Sequence, residues 1–209
     1  MRVVLTAPTD VPVGNVYDKE AADNPIERRL VAGFTSALLD LLPDDPRRVL
    51  EVGCGEGGQL RKVARLAPEA RLFGFDLPSD ELTTRWEGLE ASMATGSAED
   101  LPYPDDTFDL VLALEVLEHV PDPEAVLSEI ARVGAGAVVL SVPWEPVWRL
   151  GNLARGRYFA DWGNTPGHIQ HFGRGGFQRL VARHLTVRAV RRPFPWTFVG
   201  AEVRGAHGR

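Results

Sequence analysis

Two short stretches of this chain combine residue types that can do chemistry. The first is Val49-Leu50-Glu51-Val52-Gly53-Cys54-Gly55-Glu56-Gly57, a run of β-formers that ends in an acid and then in glycines, which let backbone approach a ligand closely. Such a turn suits a nucleotide-like cofactor. Taken alone, Gly53, Gly55 and Gly58 also satisfy the dinucleotide-binding spacing G-x-G-x-x-G, with Asp76 at about the distance of a ribose-binding acid. An NAD-dependent dehydrogenase is therefore a rival reading on this spacing. The second stretch is Glu115-Val116-Leu117-Glu118-His119. On a helical turn, the spacings i, i+3 and i+4 place Glu115, Glu118 and His119 on one side, two carboxylates and an imidazole able to converge. That set suits a divalent cation such as Mg2+ or Mn2+, with a fourth ligand drawn from the segment His168-Ile169-Gln170-His171. Without a metal, His119 and His171 are the candidate bases, because an imidazole titrates near neutral pH. In the plainer reading, Glu118 and His119 only cap and solvate a turn.

The elements that must hold these residues follow from hydrophobic pattern and punctuation. Asn24 and Pro25 start a helix over Ile26 to Leu42, with apolar residues at helical spacing, and Pro43 to Pro46 end it. Strands are expected at Arg48 to Val52, Arg71 to Asp76, Met93 to Thr95, Phe108 to Leu114 and Ala137 to Val142. Helices are expected between them at Gly58 to Ala67, Asp80 to Glu90 and Pro121 to Val133. After Pro143 the composition turns to tryptophan, arginine and glycine, with helices near Glu145 to Ala154 and Arg174 to Arg183. Leu185 to Val190 and Thr197 to Val203 close the sheet as an antiparallel pair. The expected fold is α/β: a Rossmann-like, seven-stranded, mostly parallel sheet with helices on both faces and an antiparallel last strand. The chain reads as one domain over 1–209. Residues 1–46 form a lead-in and helix, 47–143 the cofactor core, 144–184 an acceptor-side insertion and 185–209 the closing strands.

The glycine turn, Phe73-Gly74-Phe75-Asp76, Gly96-Ser97-Ala98-Glu99-Asp100-Leu101-Pro102 and Phe108-Asp109-Leu110-Val111-Leu112-Ala113-Leu114 recur at the intervals of a βα series. As a set, over about residues 47 to 143, they resemble a class I S-adenosylmethionine-dependent methyltransferase. That resemblance implies that Gly53 and Gly55 face the methionine part of the cofactor, that Asp76 holds both ribose hydroxyls, and that Ala98 and Glu99 meet the adenine. Glu51, Leu77 and Leu114 complete the implied cofactor set, with Tyr17 folding over the cofactor from the N-terminal segment. Ser97 stands where many relatives carry an acid. The E-x-x-E-H run is also similar to those of the ubiquinone-pathway O-methyltransferases and the small-RNA 3'-terminal 2'-O-methyltransferases. On that pattern Glu115, Glu118, His119 and His168 are the metal ligands, His168 fitting better than His171.

Composition bounds the partners. The 209 residues are 44% hydrophobic, which suits one compact α/β domain with a sizeable core. Cys54 is the only cysteine, residues 1 to 14 lack the apolar stretch of a signal peptide, and no segment has the apolar length of a membrane span, so a cytoplasmic protein is expected. The net charge of −6 hides a division: residues 147–209 carry 11 Arg against Asp161 and Glu202, a net +9 that leaves −15 for the rest. An anionic acceptor would meet the basic part, although arginine is this chain's habitual cation and many of these are plain surface. Trp144, Trp148, Tyr158, Phe159 and Trp162 are candidates for an apolar acceptor pocket, and Arg149, Arg155 and Arg157 for an anionic group. Nucleic acid is the poorer acceptor for an acidic chain. The expectation is methyl transfer to a hydroxyl of a small or lipid-like metabolite. The alternatives are a metal-independent N-methyltransferase acting on an amine or peptide, and a non-catalytic cofactor-binding partner subunit.

Overall fold

A computed structural model describes residues 25–154, 162, 164, 165 and 167–205. The element order is α1 (Pro25–Leu39), β1 (Arg48–Val52), α2 (Gly58–Leu66), β2 (Arg71–Asp76), α3 (Asp80–Arg85), β3 (Ser92–Thr95), β4 (Phe108–Leu114), α4 (Pro123–Val133), β5 (Gly134–Pro143), α5 (Val147–Ala154), α6 (Arg174–His184), β6 (Thr186–Arg191) and β7 (Trp196–Glu202). All seven strands lie in one sheet, in the order β3-β2-β1-β4-β5-β7-β6. Neighbours from β3 to β5 pair in parallel, whereas β7 runs antiparallel to both β5 and β6. The chain reverses direction only in its last strand, as expected from the sequence.

The apolar strand runs are buried on both faces, as parallel strands between helices must be. Leu50, Val52, Val111, Ala113, Val138 and Leu140 pack on one side with Val126, Leu127 and Ile130 of α4 and with Phe177 and Val181 of α6. Val49, Leu110, Leu112 and Val139 pack on the other with Phe34 and Leu38 of α1, Leu60 and Val63 of α2, and Leu82 of α3. The alternation of neighbouring strand residues between the two clusters is the period-two pleat. Among the described residues no helix is long and apolar enough to cross a membrane.

Helix α3 is shorter than the expected span to Glu90. It starts where Ser79 caps Leu82 N–H and ends at Arg85, because Trp86 turns inward and its indole N–H donates to the Gly55 carbonyl at 2.7 Å. Strand β5 begins at Gly134, three residues before the expected start, directly after α4. A Cβ at Gly136 would sit 2.5 Å from the Asp109 carbonyl oxygen, so glycine allows β5 and β4 to approach here.

Candidate active site

The C-terminal ends of β1, β2 and β4 converge, which is where open α/β sheets bind ligands. After Val52 the chain must turn sharply, and Gly53 does so at φ 70°, a region that L side chains avoid. A Cβ there would also lie 2.3 Å from Val116 Cγ2. The glycine turn thus packs directly on the turn that carries the second candidate group. The amides of Gly53 and Cys54 donate to the Phe75 carbonyl at 2.8 and 3.2 Å, tying the turn to β2.

Asp76, the last residue of β2, accepts the Gly55 amide on Oδ2 at 2.6 Å and the Leu77 amide on Oδ1 at 2.7 Å. Burial pushes its carboxyl above the usual range, and these two bonds pull it back. Glu51 is 3% exposed beneath the turn. Burial, followed by the charges of Glu51 and Asp76, pushes the Cys54 thiol well above its ordinary value, so the thiol stays protonated and is no nucleophile. Glu99 accepts the Asp122 amide at 3.2 Å, and Leu114 lies buried at the end of β4. Ala98 is partly buried beside the Phe75 and Val111 cluster. Tyr17 lies outside the described residues.

The residues after β4 form a turn instead of the helix that the i, i+3, i+4 spacing assumed. Glu115 sits at φ 60°, its amide bonded to the Ser141 carbonyl at 2.9 Å, and its carboxylate accepts the Trp196 indole N–H. The ligand atoms of Glu118, His119 and His168 lie within 4.8 Å of one another. Glu115 is not part of this group. The left-handed backbone at Glu115 ends the strand direction, and Trp196, 81 residues away, engages its side chain.

Hydrogen bonds hold the group together across 50 positions of sequence. The Glu118 carbonyl accepts the amides of Ile169 and Gln170 at 2.9 and 3.0 Å, and His119 donates Nδ1–H to the Gly167 carbonyl at 2.9 Å. The two imidazoles meet edge to face at 4.8 Å, and His168 stacks on Trp148 at 6.4 Å. Burial, then the neighbouring His168, lowers the His119 pKa from its ordinary 6.5, so this ring is mainly neutral at pH 7 and keeps a lone pair to donate. His171 stands apart, exposed and bonded through Nε2 to the Asn164 side chain at 3.1 Å.

Sequence reasoning missed Glu145. It is 8% exposed, lies between β5 and α5, and places Oε1 3.9 Å from His168 Nδ1. Neither carboxylate oxygen of Glu145 nor Nδ1 of His168 makes a hydrogen bond. An acid within the apolar run Val142-Pro143-Trp144-Glu145-Pro146-Val147-Trp148 was the available signal. The buried Glu118 carboxylate with the part-buried His119 and buried His168 imidazoles is a donor set that fits a divalent cation. Of the aromatic and basic candidates, Trp148 supports His168, Trp144 lies under the Arg174 guanidinium at 3.4 Å, and Arg149 donates to the Trp162 carbonyl. Arg155, Arg157, Tyr158 and Phe159 lie outside the described residues.

Residues 50–139 match the family described as "Methyltransferase domain". That span runs from β1 into β5 and includes the glycine turn, Asp76, Glu118 and His119. This segment is a methyltransferase domain. A crystal structure of a SAM dependent methyltransferase from Aquifex aeolicus superposes on this chain with a TM-score of 0.67, covering 90% of this chain and 99% of that one at 16% identity, a likeness of fold. Ajmaline N-methyltransferase of Rauvolfia serpentina is 36% identical over 110 residues, 47% of this chain and 38% of the relative. Ubiquinone biosynthesis O-methyltransferase of Xanthomonas oryzae is 41% identical over 106 residues, 48% of this chain and 42% of the relative. The matched segment spans about two fifths of each of these relatives.

Proposed function

We propose that this chain moves the methyl group of S-adenosylmethionine to a hydroxyl of a small or lipid-like acceptor, with Glu118, His119 and His168 holding a divalent metal, Mg2+ or Mn2+. The observation that carries the reading is the convergence of these three side chains beside the glycine turn. Gly53 and Gly55 give the methionine end of the cofactor close backbone approach, and the bare amides at the start of α2 favour a negative group there. Asp76 uses one lone pair on each oxygen for Gly55 and Leu77 and keeps acceptor capacity on both for the ribose hydroxyls. Ala98, Glu99, Leu77 and Leu114 border the adenine and ribose, and Glu51 supports the turn from beneath.

Transfer is an in-line displacement. The acceptor's lone pair forms the new O–C bond as the S–C bond breaks, and S-adenosylhomocysteine leaves as a neutral thioether. A metal held by these residues would lower the pKa of the acceptor hydroxyl and orient it. The chain aligns the acceptor and excludes water, and if no metal is bound neutral His119 receives the proton. His171 is the weaker base, because it is exposed and held by Asn164. Similarity to an N-methyltransferase supports a second reading, metal-independent transfer to an amine. The lone cysteine leaves no intrachain disulfide to form, and on that basis we assign the chain to the cytoplasm.

The test is a calorimetric titration of Mn2+ into metal-stripped protein saturated with S-adenosylhomocysteine, with and without catechol as a diol. One stoichiometric site that disappears in Glu118→Ala supports metal-assisted O-methylation. No binding under either condition rejects the metal and moves the search to amine acceptors.

A further inference from the structure

We infer that Glu145 is a positioning residue: it holds the proton of His168 on Nδ1, so that Nε2 faces Glu118 and His119. The inference deepens the metal reading proposed above and rests on it for its functional meaning. Burying a carboxylate without hydrogen bonds is costly unless a partner compensates for it. Glu145 is 92% buried on its 8% exposure, both its oxygens lack hydrogen bonds, and the group facing Oε1 is the Nδ1 atom of an equally buried histidine.

A neutral imidazole carries its proton on one nitrogen and its lone pair on the other. His119 already shows the arrangement, its Nδ1 donating to the Gly167 carbonyl and its Nε2 left over. For His168 the corresponding acceptor is the Glu145 carboxylate. The two rings thus have their Nδ1 atoms turned to fixed acceptors, one a backbone carbonyl and the other a carboxylate. Glu145 is not itself in the group whose ligand atoms lie within 4.8 Å of one another, so its contact with His168 Nδ1 is assigned as support for that ring and not as a fourth ligand. A shift of about 1 Å closes the 3.9 Å separation to an ordinary hydrogen bond. Trp148 limits how the ring can move, since it stacks on His168 while its indole N–H is tied to Thr165 at 2.9 Å. An acceptor behind a ligating histidine fixes its tautomer and raises its basicity, and losing it typically costs 10- to 100-fold in metal affinity.

Two measurements test the assignment on Glu145→Ala and Glu145→Gln. The first is Mn2+ affinity by electron paramagnetic resonance in the presence of S-adenosylhomocysteine. Glu145→Ala should weaken it about 10- to 100-fold, whereas Glu145→Gln should retain most of it, because the amide oxygen still accepts from Nδ1–H. Cofactor affinity should be unchanged in both variants. Equal losses in the two would mean that the charge ligates directly, and an unchanged affinity in Glu145→Ala would mean no role; either result overturns the inference. The second is the His168 tautomer, read from long-range 15N–1H spectra of the metal-free protein. The Nδ1–H form should be present in wild type and Glu145→Gln and replaced in Glu145→Ala; a wild-type Nε2–H form overturns the inference. If wild type binds no Mn2+ yet shows this tautomer switch, the metal reading fails and the positioning role stands. Should Glu145→Ala fail to fold, Glu145→Leu fills the space without an acceptor and carries both measurements.

Discussion

Replacing Gly53 by alanine tests the join between the glycine turn and the Glu118 turn. The substitution forces an L side chain into φ 70° and drives its Cβ to 2.3 Å from Val116 Cγ2. The left-handed backbone costs about 1–2 kcal/mol. The contact adds an overpacking cost of about 1–3 kcal/mol, because Val116 is anchored between Glu115, bonded to Ser141, and the buried Leu117. The expected loss is therefore about 2–5 kcal/mol, and for a chain of this size the melting temperature falls on the order of 10 °C. Thermal and urea unfolding of Gly53→Ala, Val116→Ala and the double variant separate the two parts. Adding Val116→Ala should return the overpacking share and leave the backbone share, so the two changes are not additive. A Gly53→Ala protein that melts within a degree of wild type would refute the reasoning, as would strictly additive losses.

Glu118→Ala should keep S-adenosylhomocysteine affinity within twofold of wild type and lower turnover at least 100-fold once an acceptor is found, read as kcat and KM separately; equal loss of both binding and turnover would place Glu118 in the cofactor site. Glu129 clamps the segment after β3, accepting from Arg132 and from the Leu101 amide at 2.8 Å, and Arg132 first, then that amide, holds its carboxyl below its ordinary 4.5. A depressed acid contributes stability that is present above about pH 4.5 and lost as pH falls through its folded value. Wild type should therefore lose melting temperature more steeply than Glu129→Gln below pH 4.5, and parallel curves would count against the clamp.

Strands β1, β2 and β4 are legible to the residue, because each is an apolar run bounded by turn residues or charges. The mostly parallel sheet follows from the βα series, and the antiparallel close from the short final segments. Long-range contacts were not legible. Helix α3 stops at Arg85, where Trp86 bonds the distant Gly55 and Gly88 follows at φ 75°, a local glycine signal that the expected span to Glu90 passed over. Spacing grouped Glu115 with Glu118 and His119 on the assumption of a helix. The chain there has a left-handed residue and a turn, and the carboxylate is taken by Trp196 from the last strand. Glu145 belongs to the cluster through His168, 23 positions later, a pairing that exists only once β5 and the 167–172 segment are brought together.

The measurement that bears most directly on the central claim is calorimetric binding of S-adenosylhomocysteine and of NAD to wild type and to Asp76→Ala. Asp76 is assigned both ribose hydroxyls, and two hydrogen bonds to a charged group are each worth about 1.5–3 kcal/mol. Wild type should bind S-adenosylhomocysteine at one site and NAD not at all, and Asp76→Ala should lose about 10²- to 10⁴-fold in affinity. NAD binding at the same site, or Asp76→Ala binding S-adenosylhomocysteine as tightly as wild type, would contradict the account.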